Sequence, residues 1–296
     1  MADPDGGSPI RFAIPKGRMY DGIVRVLADA HIGITASSRN YRPTIALEGF
    51  EVKVLKPRAI IEMLEAGTRD LGFAGADWVA ESDGDAPSGG LVELLDTELD
   101  PVRLVAAAPE SILIDGQLPD RPLVVASEYA EIATRWIADR GLHATLLRSY
   151  GATEVLPPED ADCIIDNTAS GATLAANDLR IIDEVMRSST RLYASPVAME
   201  DPAKRPAIES FAMLVRSVLQ ARDRVMIEVN VAPDALDAVV AVLPCMREPT
   251  VSSLRSNTGY AVKAAVRRSQ LSGVIPAVKA AGGTDLIVST PEQIVP

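Results

Sequence analysis

The chain has 296 residues, and it is poor in aromatic side chains (4%) and contains only two cysteines and two histidines. Two cysteines are too few for a disulfide scaffold, so Cys163 and Cys245 are interpreted as reduced thiols in a cytoplasmic protein. His31 and His143 fit neither a Ser-His-Asp nor a Cys-His catalytic arrangement. The sequence therefore gives no sign of a catalytic triad or of a cysteine-based metal site.

Long apolar runs and an excess of positive charge are also missing. Apolar stretches are interrupted well before about 18 positions, so no transmembrane span is expected. Residues 1–8 lack the basic and apolar regions of a signal peptide. Acidic residues outnumber basic ones by 41 to 29 and give a net charge of −12, which argues against a nucleic-acid surface. The composition predicts a soluble globular protein whose partners are neither a membrane nor nucleic acid.

The distribution of apolar residues indicates an α/β fold. Short apolar runs alternate with helical patterns over residues 10–96, and a second unit of this kind begins near Val102. Two later runs, at 180–185 and 190–194, are interpreted as returning to the first unit. Two crossings between the units would make a hinge, and a cleft between two lobes suits a reaction that gathers two substrates and excludes water.

The pattern changes after an amphipathic stretch at 205–222. The predicted order becomes β-α-β-β-α-β, which is ferredoxin-like. The predicted strands and helices, in chain order, lie at 225–231, 233–243, 250–254, 260–267, 270–281 and 285–289. No cluster of titratable residues there suggests chemistry, so this segment is interpreted as a binding or assembly module.

Residues 161–179 contain a candidate phosphate-binding loop. An apolar run suited to a buried strand ends at Asp166, Ser170-Gly171 allows the backbone to approach a ligand closely, and Thr173 begins a helix whose first N–H groups lack partners. Asp166 is placed to accept hydrogen bonds from sugar hydroxyls or to hold a metal ion. The alternative is an ordinary strand-turn-helix with a capping Ser or Thr.

A second candidate lies at residues 14–18, Ile-Pro-Lys-Gly-Arg. Lys16 and Arg18 occupy a strand-to-helix junction, where two cations beside exposed N–H groups suit a polyphosphate. Each close ion pair is worth up to ~4 kcal/mol at an effective dielectric constant of 20, before desolvation. The acidic background is largely screened beyond about 8 Å at physiological salt. A solvated basic surface is the alternative.

Four segments together resemble the long form of the ATP phosphoribosyltransferase family over nearly the whole chain. They are Ala-Ile-Pro-Lys-Gly-Arg at 13–18, Ser-Arg at 38–39, Asp-Leu-Gly-Phe-Ala-Gly-Ala-Asp-Trp at 70–78, and the 166–174 loop followed by Ala-Asn-Asp-Leu at 176–179. The family joins N1 of the adenine of ATP to C1 of phosphoribosyl pyrophosphate and releases pyrophosphate. This is the first step of histidine biosynthesis, and it requires Mg²⁺.

The resemblance implies an α/β fold with a catalytic part of the two-lobed, type II periplasmic-binding-protein kind and a C-terminal ACT-like, ferredoxin-like βαββαβ domain. Lobe I would comprise residues 1–98 and 180–222, and lobe II, which carries the phosphoribosyl pyrophosphate loop, residues 99–179. The regulatory domain would comprise residues 223–296. Histidine would be a feedback inhibitor, and the chain would form a homo-oligomer between a dimer and a hexamer.

The resemblance also implies residue roles. The catalytic residues would be Lys16, Arg18 and Asp166, with Asp166 as the metal ligand. The contacts to phosphoribosyl pyrophosphate would be Glu154, Asp166, Ala169, Ser170, Gly171, Ala172 and Thr173. The contacts to ATP would be Lys16, Arg18, Arg39, Arg58 and Asp77. The contacts to histidine would be Asn230 and Thr250. A surface ion pair is the alternative for Arg39, and a helix cap is the alternative for Asp77.

The sequence departs from the family pattern around the loop. Asn167 stands where an aliphatic residue is usual, Ala172 where longer or hydroxyl side chains are common, and Asp178 where glycine is frequent; the 154–162 link is also shorter than usual. Backbone-mediated binding tolerates the first two changes. Two other functions are therefore retained: a two-lobed small-anion-binding protein, against which the missing export signal and the C-terminal module argue, and a catalytically weakened regulatory homologue.

Overall fold

The computed structural model describes residues 8–35, 41–82 and 90–295, so Arg39 lies outside the described residues. The chain forms two compact units. The first comprises Met1–Ala28 and Ile32–Ala212, and the second comprises Asp29–His31 and Met213–Pro296.

The first unit contains ten strands and seven helices within the described ranges. The strands are β1 (Ile10–Pro15), β2 (Ile34–Thr35), β3 (Thr44–Ile45), β4 (Phe50–Leu55), β5 (Leu71–Gly75), β6 (Val92–Pro109), β7 (Leu123–Ser127), β8 (Ala144–Arg148), β9 (Cys163–Thr168) and β10 (Leu179–Ala194). The helices are α1 (Arg18–Asp29), α2 (Pro57–Glu65), α3 (Ala76–Ser82), α4 (Ala130–Asp139), α5 (Ala172–Ala176), α6 (Pro196–Glu200) and α7 (Arg205–Arg222), the last of which contains the boundary between the units.

Eight of these strands form one sheet in the order β4-β1-β5-β10-β6-β9-β7-β8. β1, β4 and β5 are parallel, as are β9, β7 and β8. The two long strands β6 and β10 lie between these groups and pair antiparallel with each other and with their neighbours. This is the two-lobed α/β architecture that the sequence predicts. The predicted lobe boundaries fall inside β6 and at the start of β10, and they stay predictions.

The returning segment differs from its prediction. Two separate runs were expected at 180–185 and 190–194, but β10 is one strand. The second predicted α/β unit, expected to begin near Val102, starts inside the long strand β6. The register of β10 against β6 shifts at five points. Bulges of this kind change which face a residue occupies, so they break the apolar alternation without ending the strand.

Helix α2 illustrates how local signals produce the core. Pro57 occupies its first turn, where proline is well tolerated, and the chain turns at Gly67 with φ +64° just after the helix. Ile60, Ile61 and Leu64 are buried on one face of the helix. Burying a side chain of this size stabilises the fold by about 1.5–3 kcal/mol.

The second unit confirms the βαββαβ order. Its elements are β11 (Arg224–Val231), α8 (Leu236–Ala241), β12 (Thr250–Ser253), β13 (Tyr260–Arg267), α9 (Leu271–Ala280) and β14 (Gly283–Ser289). The antiparallel sheet has the order β12-β13-β11-β14. In β11 buried and half-buried residues alternate, so that Val225, Ile227, Val229 and Val231 face the core.

Both cysteines are free, Cys163 buried and Cys245 partly buried. Burial raises the pKa of the Cys163 thiol to about 12. Among the helices in the described ranges, none is both long and apolar enough to cross a membrane.

Candidate active site

A cavity of about 300 Å³ lies beside the end of β9. It brings Arg18, at the start of α1, together with Glu154 and Asp166 from the other half of the sheet. The lining residues are Arg18, Val102, Glu154, Asp166, Asn167, Thr168, Ala169, Ser170, Thr173 and Leu174. Two constellations that the sequence analysis identified separately therefore meet at one site.

The β1–α1 junction presents Arg18 to the cavity. The Lys16 N–H donates to the Leu55 carbonyl at 2.8 Å, and Gly17 then turns the chain with φ +85°, a conformation that favours glycine. Helix α1 begins directly at Arg18. Lys16 is exposed at the same junction, but it does not line the cavity.

Asp166 is an acid in an unfavourable environment. Burial raises its pKa to about 6, and the negative charges of Glu154 and Glu128 add to the shift although the Asn167 N–H donates to its Oδ1 at 2.7 Å. The carboxylate would be relieved by a cation or by hydroxyl donors. This is the environment expected of a residue that binds a sugar or a metal ion.

The loop after β9 supplies fewer free amides than predicted. The Gly171 N–H already donates to Thr168 Oγ1 at 2.8 Å, and the Ala172 N–H donates to Ser170 Oγ at 3.3 Å. Two amides of the turn are therefore already used within the loop, although the N-cap residue of α5, Gly171, makes no side-chain cap. In this part of the described chain, the N–H groups of Ala169, Ser170 and Thr173 donate to no protein acceptor.

The geometry of the loop depends on two residues with positive φ. Gly171 has φ +82°, and α5 follows it directly, beginning at Ala172 rather than at the predicted Thr173. Asp178, where the family frequently has glycine, has φ +56°. The backbone there adopts the left-handed conformation that glycine accommodates best, although Asp also tolerates it.

Glu154 reaches the cavity from a tight turn. Gly151 and Ala152 have φ +115° and +49°, and one turn of 3₁₀-helix follows at Thr153–Val155. The Thr153 hydroxyl is buried and hydrogen-bonds the Ser149 hydroxyl at 2.7 Å. This bond fixes the turn that carries Glu154.

Arg58 and Asp77, two further predicted ATP contacts, do not line this cavity. Arg58 is exposed on α2 and pairs with Glu62 at 3.0 Å. Asp77 is 5% exposed, and its carboxylate accepts hydrogen bonds from the Ser188 and Tyr129 hydroxyls at 2.8 and 2.7 Å. These partners differ from the helix cap considered as the alternative. The ATP-binding roles of Arg58, Asp77 and Arg39 stay predictions.

Sequence reasoning missed the contribution of Glu128, Thr168 and Asn167 to the site. Glu128 follows β7, and β7 is the parallel neighbour of β9. Because the carboxyl ends of parallel strands meet at one edge of a sheet, its position after β7 was a usable signal. The side-chain contacts of Thr168 and Asn167 had no such signal.

The predicted histidine contacts lie in the second unit. Asn230 donates from Nδ2 to Asp285 Oδ2 at 3.2 Å, and Thr250 is an exposed residue of β12 paired with Lys263. The strand registers place Asn230 and Thr250 on the same face of the sheet, with β13 between them. Their role in binding histidine stays a prediction.

No cluster of three or more His, Cys, Asp or Glu side chains that could hold a metal ion is present within the described ranges. A Mg²⁺ ion usually binds through one or two carboxylates, with water and substrate phosphates as its other ligands. The crowded carboxylate of Asp166 fits such a donor set.

Fold and site together define a two-lobed α/β protein whose cleft suits a phosphorylated ligand, joined to a ferredoxin-like domain. The model of the ATP phosphoribosyltransferase family (HisG) matches residues 56–217, and the model of the HisG C-terminal domain matches residues 221–292. The chain belongs to the ATP phosphoribosyltransferase family.

Relatives support this assignment over nearly the full length. The ATP phosphoribosyltransferase of Pelodictyon phaeoclathratiforme is 33% identical over 278 residues, covering 92% of this chain and 93% of that protein. That of Pelotomaculum thermopropionicum is 31% identical over 287 residues, covering 97% and 99%. A chain of the ATP phosphoribosyl transferase (HisG:HisZ) complex from Thermotoga maritima is similar in fold, with a TM-score of 0.60, 24% identity, and coverage of 70% of this chain and 96% of that one.

Proposed function

We propose that this chain is an ATP phosphoribosyltransferase, a pentosyltransferase that joins N1 of the adenine of ATP to C1 of phosphoribosyl pyrophosphate in the first step of histidine biosynthesis. The observation that carries the site assignment is the single cavity lined by Arg18, Glu154, Asp166 and the loop after β9. Its cation suits phosphate groups, and its carboxylates suit ribose hydroxyls.

The reaction passes through an electron-poor, oxocarbenium-like carbon while the departing pyrophosphate gains negative charge. Asp166 and Glu154 would accept from the ribose hydroxyls, and the negative charge of Asp166 would stabilise the carbon. Arg18, assisted by Lys16, would neutralise the leaving group. Adenine N1 already carries a lone pair, so no general base is required, and positioning of the two substrates would dominate the rate.

The phosphate of the ribose would bind the N–H groups that have no protein acceptor, those of Ala169, Ser170 and Thr173. Gly171 and Ala172 would shape the loop because their amides are already hydrogen-bonded within it. Arg39 and Arg58 are proposed as contacts of the triphosphate of ATP, where a guanidinium can pair with two phosphate oxygens.

Mg²⁺ is proposed as the metal ion, with Asp166 as its protein ligand. When bound, the ion would neutralise part of the negative charge of pyrophosphate. A homo-oligomer between a dimer and a hexamer and a cytoplasmic location are further proposals from the family.

The test of the proposed function is an assay of pyrophosphate release from ATP plus phosphoribosyl pyrophosphate. We expect release only when both substrates and Mg²⁺ are present. A two-lobed anion-binding protein would bind phosphoribosyl pyrophosphate without releasing pyrophosphate. A weakened regulatory homologue would bind both substrates and turn them over hundreds of times more slowly than a typical enzyme rate of about 10 s⁻¹.

Replacing Gly171 tests the loop assignment. Gly171→Val puts a β-branched residue at φ +82°, where a side chain costs roughly 1–2 kcal/mol and the loop must shift to relieve it. We expect the KM for phosphoribosyl pyrophosphate to rise about tenfold or more and that for ATP to stay within about twofold, measured by steady-state kinetics.

Gly141→Val is the matched control because Gly141 also has positive φ, +61°, and an added Cβ would meet nothing within 4 Å. It should carry a similar backbone strain without changing either KM. Equal changes in the two KM values of Gly171→Val would contradict the loop assignment.

The regulatory proposal predicts that free histidine binds the intact protein and weakens substrate binding. The expected coupling is about 1–3 kcal/mol, which is a factor of roughly 5–150 in affinity. Calorimetry on the wild type and on Asn230→Ala measures it, with Ser289→Ala on β14 as control. Absence of a binding heat in the wild type would reject the proposal.

A further inference from the structure

Asn167, which lines the cavity, is the exposed end of a buried chain of hydrogen bonds. Its Nδ2 donates to the Tyr129 hydroxyl at 2.8 Å, and the Tyr129 hydroxyl donates to Asp77 Oδ2 at 2.7 Å. The other carboxylate oxygen of Asp77 accepts from Ser188 Oγ at 2.8 Å. We refer to Asp77, Tyr129, Asn167 and Ser188 as the Asp77 network.

All the hydrogen bonds of the network are donated toward Asp77. A phenol has a single proton, and Tyr129 gives it to Asp77, so the hydroxyl can only accept from Asn167. Burial and the Asp77 charge raise the pKa of Tyr129, so the phenol keeps that proton. Tyr129 is 0% exposed and Asp77 is 5% exposed, so the bonds that join Tyr129, Asp77 and Ser188 are shielded from water.

Tyr129 is itself held at its backbone and at its ring. Its N–H donates to Ser127 Oγ at 2.9 Å, and Ser127 in turn donates to the Ile165 carbonyl of β9 at 2.7 Å. The Trp78 ring packs against the Tyr129 ring with centroids 4.7 Å apart. The Tyr129 hydroxyl is therefore held in a fixed position beside β9.

Fixing Asn167 also fixes its neighbours in the loop. The Asn167 N–H donates to the Asp166 carboxylate at 2.7 Å, and Thr168, the next residue, holds the Gly171 N–H. The first bond is donated by the backbone of Asn167 and the second is accepted by the side chain of Thr168, so the anchored Asn167 side chain acts on the acid and on the loop through the main chain. This gives a physical reason for Asn167 where the family usually has an aliphatic residue.

The network also joins the two halves of the sheet. Asp77 follows β5 in one half, Asn167 belongs to β9 in the other, and Ser188 lies on the central strand β10. Both oxygens of the Asp77 carboxylate are occupied by protein donors. This arrangement suits an anchor better than a direct contact with ATP.

We propose that Asp77 and Tyr129 are positioning residues which, through Asn167, hold Asp166 and the phosphoribosyl pyrophosphate loop in their binding geometry before the substrate arrives. The inference rests on the proposed function of that loop. Preorganisation of this kind lowers the cost of ordering on binding, so its loss appears mainly in the affinity for the substrate that the loop binds.

The test uses Tyr129→Phe and Asn167→Ala in the full chain. Each should raise the KM for phosphoribosyl pyrophosphate about tenfold and change the KM for ATP by less than about twofold. The double variant should also show about a tenfold rise, not about a hundredfold, because the second substitution removes a connection that the first has already broken. Calorimetric binding of phosphoribosyl pyrophosphate without ATP should show the same pattern in Kd.

Tyr193→Phe is the matched control, since Tyr193 is 3% exposed and lies on β10. Its KM values for both substrates and its Kd for phosphoribosyl pyrophosphate should equal those of the wild type. If Tyr129→Phe does not fold, the test uses Asn167→Ala alone, because this substitution alters only the exposed end of the network. Its KM and Kd for phosphoribosyl pyrophosphate are then compared with those of the wild type. Unchanged constants for phosphoribosyl pyrophosphate, multiplicative effects in the double variant, or equal effects on ATP would overturn the inference. A wild type that binds phosphoribosyl pyrophosphate without releasing pyrophosphate would instead refute the proposed function and leave the binding comparison valid.

Discussion

Asp166→Asn is expected to slow the reaction by about 100-fold to 1000-fold and to make the folded protein more stable above pH 6. The loss of activity follows from the proposed mechanism, in which the carboxylate would stabilise positive charge at the ribose carbon, and an electrostatic contribution of this kind is typically worth about 3–4 kcal/mol. The gain in stability follows because the same carboxylate is partly buried beside Glu154 and Glu128, and it has no salt bridge among the described residues.

The sign of the pH dependence follows from the direction of the shift. Burial and the neighbouring acids raise the pKa of Asp166 to about 6 in the folded chain, whereas an unfolded Asp has a pKa near 3.9. Between about pH 4 and pH 6 the folded state binds more protons than the unfolded state, so stability falls as pH rises. Above pH 6 the whole penalty, about 2–3 kcal/mol, is present, and an amide removes it.

Urea unfolding at pH 4 and pH 8 measures this effect. Both tryptophans, Trp78 and Trp136, belong to the first unit and report on it by fluorescence. The free energy of unfolding of Asp166→Asn should exceed that of the wild type at pH 8 and equal it at pH 4. Glu159→Gln, an exposed carboxylate outside the cavity lining, should match the wild type at both. A variant no more stable than the wild type at pH 8 would refute the strained environment assigned to Asp166.

The elements that the sequence predicts well are those marked by proline, glycine or apolar periodicity within their own segment. Helix α2 begins at Pro57 and ends at Glu65, two residues before Gly67, and β13 has the bounds that the sequence predicts, Tyr260 to Arg267. Proline, glycine and the periodicity of apolar residues act over a few positions, so a single segment contains enough information to predict them.

Strand β10 was predicted less well because its continuity is a tertiary effect. Antiparallel pairing with β6 on one side and with β5 on the other extends it through polar residues that interrupt its apolar pattern. Nothing within 179–194 alone indicates those partners.

The same limit applies to the site. The two strand-to-helix junctions carry local signals, and the structure brings Arg18 and Asp166 to one cavity. The bonds from Tyr129 to Asp77 and from Asn167 to Tyr129 join residues 52 and 38 positions apart. A family resemblance places Asp77 in a motif, but it does not reveal that Tyr129 and Ser188 occupy its carboxylate.

Asp70→Asn is expected to destabilise the first unit by about 3–5 kcal/mol, a large fraction of the 5–15 kcal/mol typical of a folded domain. The Asp70 side chain is 3% exposed and forms ion pairs with Arg11 at 2.8 Å and with Lys204 at 2.9 Å. The Arg11 N–H and Nε also donate to it, at 2.7 and 2.9 Å. Replacing the acid by an amide leaves two cations facing each other with no counter-charge.

The pH dependence of this effect is opposite to that of Asp166. Burial alone would raise the pKa of Asp70, but the hydrogen bonds from Arg11 and Lys204 outweigh it and lower the pKa. Its contribution to stability is therefore complete above the unfolded pKa near 3.9 and is lost as pH falls through the lower folded value. Urea unfolding should show the wild type losing its advantage in free energy of unfolding over Asp70→Asn only in this acid range.

The control is Glu62→Gln, which removes an exposed ion pair with Arg58 and should lower the free energy of unfolding by less than about 0.5 kcal/mol. A cost for Asp70→Asn as small as that of the exposed pair would show that Arg11 and Lys204 find other partners.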